Sequence, residues 1–169
     1  EKKENSKINN YDKLVSLFES CNIKLETPYD MLEWIWLHMA INAGVVSIAA
    51  KYADMDNPTA AAENLMSSSK LLAEAVCAIR ETSKIIKARG VNLKHYRNEL
   101  WGYKLPIFVS APIMKRMFAT NILTRKIMTL HNNTEDLLFV CKCLYDTGKQ
   151  YNINAPIFYN AYEKAENKF

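Results

Sequence analysis

The longest apolar stretch of the chain covers residues 31–47 and is interrupted by the polar side chains of Glu33, His38, Asn42 and Ser47. A helix that is apolar on nearly every side is normally buried in a protein core or in a membrane. We predict a core helix, because the polar interruptions and the short length disfavour a membrane span. His38 and Asn42 are one helical turn apart and therefore share a face. Their polar groups need hydrogen-bonding partners, which are either other protein groups or a ligand.

The chain before this stretch predicts a short αβ segment. Apolar residues recur with the helical period over 11–21, and apolar and polar residues then alternate over 23–26, as in a short strand. Thr27 is a good helix N-cap and Pro28 suits a first helical turn. The long apolar helix is therefore predicted to begin there and to continue to about Tyr52.

The rest of the chain predicts helices joined by short loops. The predicted segments are a long helix over 59–89 that ends at Gly90, a short helix within 91–103, an apolar loop over 107–111 between Pro106 and Pro112, a helix from 113 to 123 or 130, a helix capped by Thr134 and a last helix after Pro156. With only 4 Gly and 5 Pro, long helices are favoured over a many-stranded sheet. The predicted fold class is all-α, with the short αβ segment at the front.

Composition narrows the class of protein further. The 169 residues are enough for one domain with a real core, and a net charge of +4 with spread basic residues does not predict nucleic-acid binding. The 4 cysteines lack the spacing of zinc or redox pairs, which favours reduced thiols and no metal site. With no signal peptide or membrane span visible, a cytoplasmic location without membrane contact is expected.

Four sequence segments, in this order, resemble the C-terminal half of the ketopantoate reductase family. The first is residues 11–27, which look like the helix and strand that end the family's nucleotide-binding domain, and the second is Trp36-x-His38-x-x-x-Asn42-Ala in the apolar helix. The third is Ala-Arg-Gly-Val ending at Val91, and the fourth is Glu135-Asp136 followed by an amphipathic helix and by Asn-Ile-Asn-Ala-Pro ending at Pro156. The resemblance covers roughly residues 11–163.

The resemblance implies an NADPH-dependent reductase that converts a 2-keto acid or a similar small carbonyl compound to the alcohol. In that family the substrate lies between a Rossmann domain and a helical domain, and the Rossmann domain binds NADPH through a Gly-x-Gly-x-x-Gly turn. The glycines here, at 44, 90, 102 and 148, do not form that turn. We therefore expect residues 1–27 to be the linker and tail of a missing nucleotide-binding domain, and residues 28–169 to be the helical substrate domain.

The resemblance also assigns roles to residues of the apolar helix. His38 stands at the family's proton-donating lysine, and Asn42 stands at a substrate-binding asparagine. Val46 stands where the family commonly has a further asparagine. An imidazole is not a permanent cation at neutral pH as an ammonium group is, so ketopantoate itself is in doubt as the substrate.

Further site residues come from the second half of the chain. The family has a carboxylate that binds the substrate hydroxyl, and Asp136 or its neighbour Glu135 takes that position. A family serine has Thr124 as a loose counterpart. Both carboxylates also suit the first turn of a helix for purely structural reasons, because the helix dipole favours negative charge there.

A second class of function stays open. The chain could be a non-catalytic helical module for dimerisation or ligand sensing, and His38 could be an ordinary core histidine with satisfied hydrogen bonds. A homodimer is compatible with either reading. A glycine fingerprint upstream of Glu1 would favour the enzyme, and its absence would favour the module.

Overall fold

The computed structural model describes residues 9–23, 25, 29–53, 56–130 and 133–168. Across these ranges the chain forms nine α-helices and no β-strand, which confirms the predicted all-α fold class. The helices are α1 (Tyr11–Ser20), α2 (Met31–Tyr52), α3 (Pro58–Ser67), α4 (Ser69–Arg89), α5 (Arg97–Lys104), α6 (Ile107–Thr120), α7 (Ile122–Leu130), α8 (Thr134–Gln150) and α9 (Pro156–Glu166).

The core is built around α2, which packs most extensively against α4 and also against α8 and α9. Gly44 lies so close to α4 that a Cβ atom added there would stand 2.7 Å from the backbone nitrogen of Ile79. The hydroxyl of Thr82 on α4 donates a hydrogen bond of 2.8 Å to the carbonyl oxygen of Ala40 on α2. Close backbone approach and this buried hydrogen bond fix the two longest helices relative to each other.

A buried carboxylate connects α4 to α9. Glu81 on α4 is 8% exposed, and its Oε2 atom accepts a hydrogen bond of 2.8 Å from the backbone N–H of Phe158 in the first turn of α9. That N–H has no partner within its own helix, so Glu81 supplies one from a neighbouring helix. Burial raises the pKa of Glu81, although the hydrogen bond from Phe158 opposes that rise.

The first helices differ in part from the predicted ones. The helix predicted over 11–21 is present as α1, but Ile23 and Leu25 are not in a strand, and the other two residues of the predicted strand lie outside the described ranges. The predicted cap Thr27 also lies outside them. The long helix begins at Met31 instead, because the Asp30 side chain accepts hydrogen bonds from the first backbone N–H groups of α2.

The single long helix predicted over 59–89 is wrong. Ser68 interrupts it with an extended backbone (φ −99°, ψ 111°), and its hydroxyl accepts a hydrogen bond of 3.3 Å from the N–H of Leu71. A serine side chain that bonds a nearby N–H competes with continuation of the helix and favours a new N-terminus. The result is two helices, α3 and α4, and the second ends at Gly90 as predicted, with φ +115°.

The apolar loop predicted between the two prolines is also wrong, because α6 runs through it from Ile107 to Thr120 with Pro112 inside. The Pro106 carbonyl accepts hydrogen bonds from the N–H groups of Val109 and Ser110, so the helix is already started before Pro112 is reached. Pro112 is exposed, and water can bond the carbonyl that its missing N–H leaves unpaired.

The structure divides the helix predicted from residue 113 onward into α6 and α7, and it gives α8 a different cap from the predicted one. Asn121 separates α6 from α7, and its side-chain oxygen accepts a hydrogen bond of 3.0 Å from the N–H of Thr124. The cap of α8 is Asn133, not Thr134, which is the first residue of the helix. The helices predicted within 91–103 and after Pro156 are confirmed as α5 and α9.

By length and composition α2 is apolar enough to cross a membrane. Its polar residues and its length are therefore not sufficient reasons to predict a core helix. In the fold, nine of its residues are buried, among them Leu37, Ala43 and Ile48. Packing against α4, α8 and α9 accounts for this apolar character without a membrane.

Candidate functional site

A cavity of about 240 Å³ lies between α2, α3, α7 and α8. From α2 it is lined by Asn42, Val46 and Ala49, which are spaced at helical intervals and share one face. From α8 it is lined by Asp136 and Val140. Asn42, Asp136 and Ile127 are exposed whereas the other lining residues are buried or half-buried, so Asn42 and Asp136 are the polar side chains at the mouth of the cavity.

The opposite wall consists of α3 and α7. Small residues of α3, Ala61 and Ala62, allow close approach, and α7 adds the larger side chains of Ile127 and Met128. The guanidinium of Arg125 on α7 forms an ion pair with the Glu63 carboxylate on α3, with an Nε to Oε1 distance of 3.1 Å. This pair lies on the exposed side of the two helices and holds the wall together.

The structure separates the two candidate carboxylates at the start of α8. Asp136 lines the cavity that Asn42 also lines, and its Oδ2 accepts a hydrogen bond of 2.9 Å from Nδ2 of Asn133. Glu135 instead lines a separate, open groove beside Phe139. Of the two carboxylates left open by the sequence, Asp136 is the one that shares a cavity with Asn42.

Asn42 forms no side-chain hydrogen bond within the part of the chain that the structure describes. Its carboxamide is therefore available both to donate and to accept at the cavity mouth. Asp136, when ionised, accepts only. Together these two groups can bind a small molecule that presents a hydroxyl or a carbonyl oxygen at the mouth.

His38 lies one helical turn before Asn42 but does not line the cavity. Its Nδ1 is 2.9 Å from the carbonyl oxygen of Trp34, and its ring stacks on the Trp34 ring with a centroid distance of 3.7 Å. A carbonyl oxygen only accepts hydrogen bonds, so Nδ1 carries the proton. Neutral His38 therefore presents a lone pair at Nε2, and only its protonated form can donate from that atom.

The beginning of α2, which carries His38, is anchored by the segment after α4. The Glu33 carboxylate accepts hydrogen bonds from the N–H of Asn92, at 2.9 Å, and from Nδ1 of His95, at 3.2 Å. The Tyr96 hydroxyl donates to the carbonyl oxygen of Asp30 at 3.0 Å, and burial raises the pKa of Tyr96 to about 12. These contacts hold the N-terminal half of α2 in place without a contribution from His38.

Thr124, the loose counterpart of a family serine, is half-buried on α7 and does not line the cavity. Ile127 and Met128 of the same helix do line it, and neither these two residues nor Ala61 and Ala62 were predicted from the sequence. The signal available for the alanines was the Ala-Ala-Ala run at 60–62, since small residues mark places where helices approach closely.

Among the residues that the structure describes, no group of three or more His, Cys, Asp or Glu side chains is arranged to hold a metal ion. The glycines at 44, 102 and 148 lie inside helices and Gly90 ends one, so the described residues do not form the strand–turn–helix that cradles dinucleotide phosphates. This chain by itself therefore does not fit NADPH through that motif.

No family model, no curated protein and no solved structure matches this chain. The resemblance to the ketopantoate reductase family consequently rests on the four sequence segments alone.

Proposed function

We propose that this chain is the substrate-binding helical domain of an NADPH-dependent reductase similar to ketopantoate reductase, which reduces a 2-keto acid or similar small carbonyl compound. The observation that carries the proposal is that Asn42 and Asp136 line one cavity. The resemblance assigned both to substrate binding although they are far apart in sequence. Packing of α2 against α8 accounts for their meeting.

The chemistry proposed for this chain is binding, orientation and proton donation. The Asn42 carboxamide binds the substrate at the cavity mouth, and the Asp136 carboxylate accepts a hydrogen bond from a substrate hydroxyl. Protonated His38 donates from Nε2 to the carbonyl oxygen, which becomes the hydroxyl oxygen of the product. Because the described residues do not form the glycine turn that binds NADPH in the family, the proposal assigns the hydride donor to a second, dinucleotide-binding domain.

The test is NADPH consumption by the complete protein with a panel of 2-keto acids that includes ketopantoate. His38→Ala should lower turnover about 100-fold or more while the protein stays folded. Unchanged turnover in His38→Ala would show that His38 is not the proton donor.

A second test measures KM of the complete protein after substitution of Asn42. Asn42→Ala should raise KM for the substrate, with little change in thermal stability, since its side chain is exposed. Asn160→Ala, which removes an exposed asparagine from α9, is the matched control and should leave KM unchanged. An unchanged KM in Asn42→Ala would argue against the site.

A ligand-sensing module is the second candidate function. The position of His38 favours it, because the ring is stacked on Trp34 and does not line the cavity. On this alternative, small carbonyl compounds bind the chain but the complete protein neither binds nor oxidises NADPH. Cofactor binding measured by fluorescence therefore separates the two candidates.

A further inference from the structure

The side chains that α2 directs toward the cavity change from polar to apolar along the helix. Asn42, Val46 and Ala49 line the cavity from successive turns of α2, which are about 5.4 Å apart along the axis, and His38 lies one turn before Asn42, outside the cavity lining. A molecule with its polar end beside Asn42 and near His38 therefore extends its other end toward Val46 and Ala49. The polar end of such a molecule meets a carboxamide, and its other end meets hydrocarbon side chains.

The interior of the cavity is apolar. Val45 and Ala61 are 4% and 2% exposed, Leu137 and Val140 are half-buried, and Ile127, which is 50% exposed, adds a further apolar side chain to the lining. Among the described lining residues there is no lysine, arginine or histidine, and the one charged side chain is the Asp136 carboxylate at the mouth. A substrate carboxylate inside would have no cation to pair with and would face a negative charge, which is costly in an apolar site.

The cavity is also large enough for a sizeable hydrocarbon group. An apolar cavity of about 150 Å³ holds a benzene molecule. At about 240 Å³, this cavity has room for a ring or a branched chain.

We infer that the reductase substrate carries an apolar branched or ring substituent in this cavity, with its carbonyl group at the mouth and its carboxylate directed away from Asp136. This inference rests on the proposed function and narrows it to 2-oxo acids with hydrocarbon side chains. In such a compound the hydroxyl that Asp136 binds is the one formed when the carbonyl group is reduced. Val46 is the specificity-determining residue, because its methyl groups meet the substituent and cannot pair with a hydroxyl. The hydroxyl-bearing ketopantoate is thereby a poor substrate.

The test compares binding of 4-methyl-2-oxopentanoate and ketopantoate to this chain in the absence of cofactor, followed by NMR at millimolar ligand. The apolar acid should bind about 10-fold or more tightly than ketopantoate. Val46→Asn should reduce this preference several-fold, because a carboxamide can pair with the ketopantoate hydroxyl. Equal binding of the two acids, tighter binding of ketopantoate, absence of binding, or an unchanged preference in Val46→Asn would overturn the inference.

A pair of variants on α3 locates the binding. Ala61→Leu places a larger side chain in the cavity and should weaken binding of 4-methyl-2-oxopentanoate about 10-fold or more, whereas Ala60→Leu, at an exposed position on the same helix, should not. Equal effects of the two would place the ligand elsewhere. If Ala61→Leu does not fold, Val46→Phe fills the cavity from α2 and serves the same purpose.

Turnover by the complete protein separates this inference from the reductase proposal. Apolar binding in the cavity without NADPH oxidation would contradict the reductase and retain an apolar ligand site. NADPH oxidation with ketopantoate at least as fast as with 4-methyl-2-oxopentanoate would support the reductase and contradict the apolar substrate.

Discussion

The two sides of α2 are packed in opposite ways. On the α4 side, Gly44 leaves no room for even one additional carbon atom beside Ile79. On the other side, Val46 and Ala49 border a cavity of about 240 Å³. The comparison teaches that close packing along one face of a helix can hold its position while the opposite face keeps space for a ligand.

The largest expected effect is on the tightly packed side. Gly44→Ala should destabilise the protein by about 3 kcal/mol, because the new Cβ atom meets the backbone of Ile79, which cannot move independently of α4. Chemical denaturation measures the change. Gly102→Ala is the matched control, since a Cβ atom there meets nothing within 4 Å and alanine favours a helix interior. Similar losses in both variants would mean that α2 and α4 are less closely packed than described.

The next effect concerns the buried Glu81. Glu81→Ala should cost about 2 kcal/mol, because it leaves the Phe158 N–H buried without a partner. Burial raises the pKa of Glu81 in the folded protein, so its contribution to stability is full below its ordinary pKa and is lost as pH rises through the raised value.

Glu81→Gln isolates this pH dependence, since a carboxamide oxygen still accepts the hydrogen bond but does not titrate. The variant should gain stability relative to the unmodified protein as pH rises from mildly acidic to neutral. Thermal unfolding across that range measures the difference. If the stability of both proteins changed with pH in the same way, the raised pKa of Glu81 would be contradicted.

A smaller effect is expected at the hydrogen bond between α4 and α2. Thr82→Val keeps the shape of the fully buried side chain but removes its hydrogen bond to Ala40, and should cost about 1 kcal/mol. Ser83→Ala is the control, because its hydroxyl bonds only the Ile79 carbonyl of its own helix. Equal losses of unfolding free energy in urea denaturation would show that the hydrogen bond between α4 and α2 stabilises the protein no more than one within a single helix.

The smallest effect is expected on the open side of α2. Val46→Leu should change stability by less than about 0.5 kcal/mol, because the cavity accepts the extra methylene group. The same exchange at Val76, which is fully buried on α4, should cost about 1–3 kcal/mol. If Val46→Leu were as costly as Val76→Leu, the contrast between the two sides of α2 would be wrong.

Much of the fold could be predicted from the sequence, because strong helical periodicity survives in any context. Gly90 ended its helix as predicted, since a residue with φ +115° there favours glycine. The break at Ser68 and the continuous helix through Pro112 were not predicted. A serine within a periodic segment can start a new helix through its hydroxyl, and an exposed proline can stay inside one where water bonds the freed carbonyl.

The candidate site was less accessible to sequence reasoning. Asn42 and Asp136 were both named, but which of Asp136 and Glu135 shares a cavity with Asn42 depends on the rotation of α8, and adjacent helical residues point about 100° apart. The wall formed by α3 and α7 depends on helix packing that no local pattern encodes. The roles of His38 as proton donor and of Thr124 as counterpart of a family serine stay predictions, and so does the homodimer.

The two walls of the cavity should also differ in how their backbone amides exchange with solvent. On one wall, α2 carries nine buried residues, so its central amides should exchange only when the whole protein unfolds. α7 has no buried residue, and α3 joins α4 through the single non-helical residue Ser68. Amides of α7 should therefore exchange through local opening, which leaves one half of the cavity in place while the other half fluctuates.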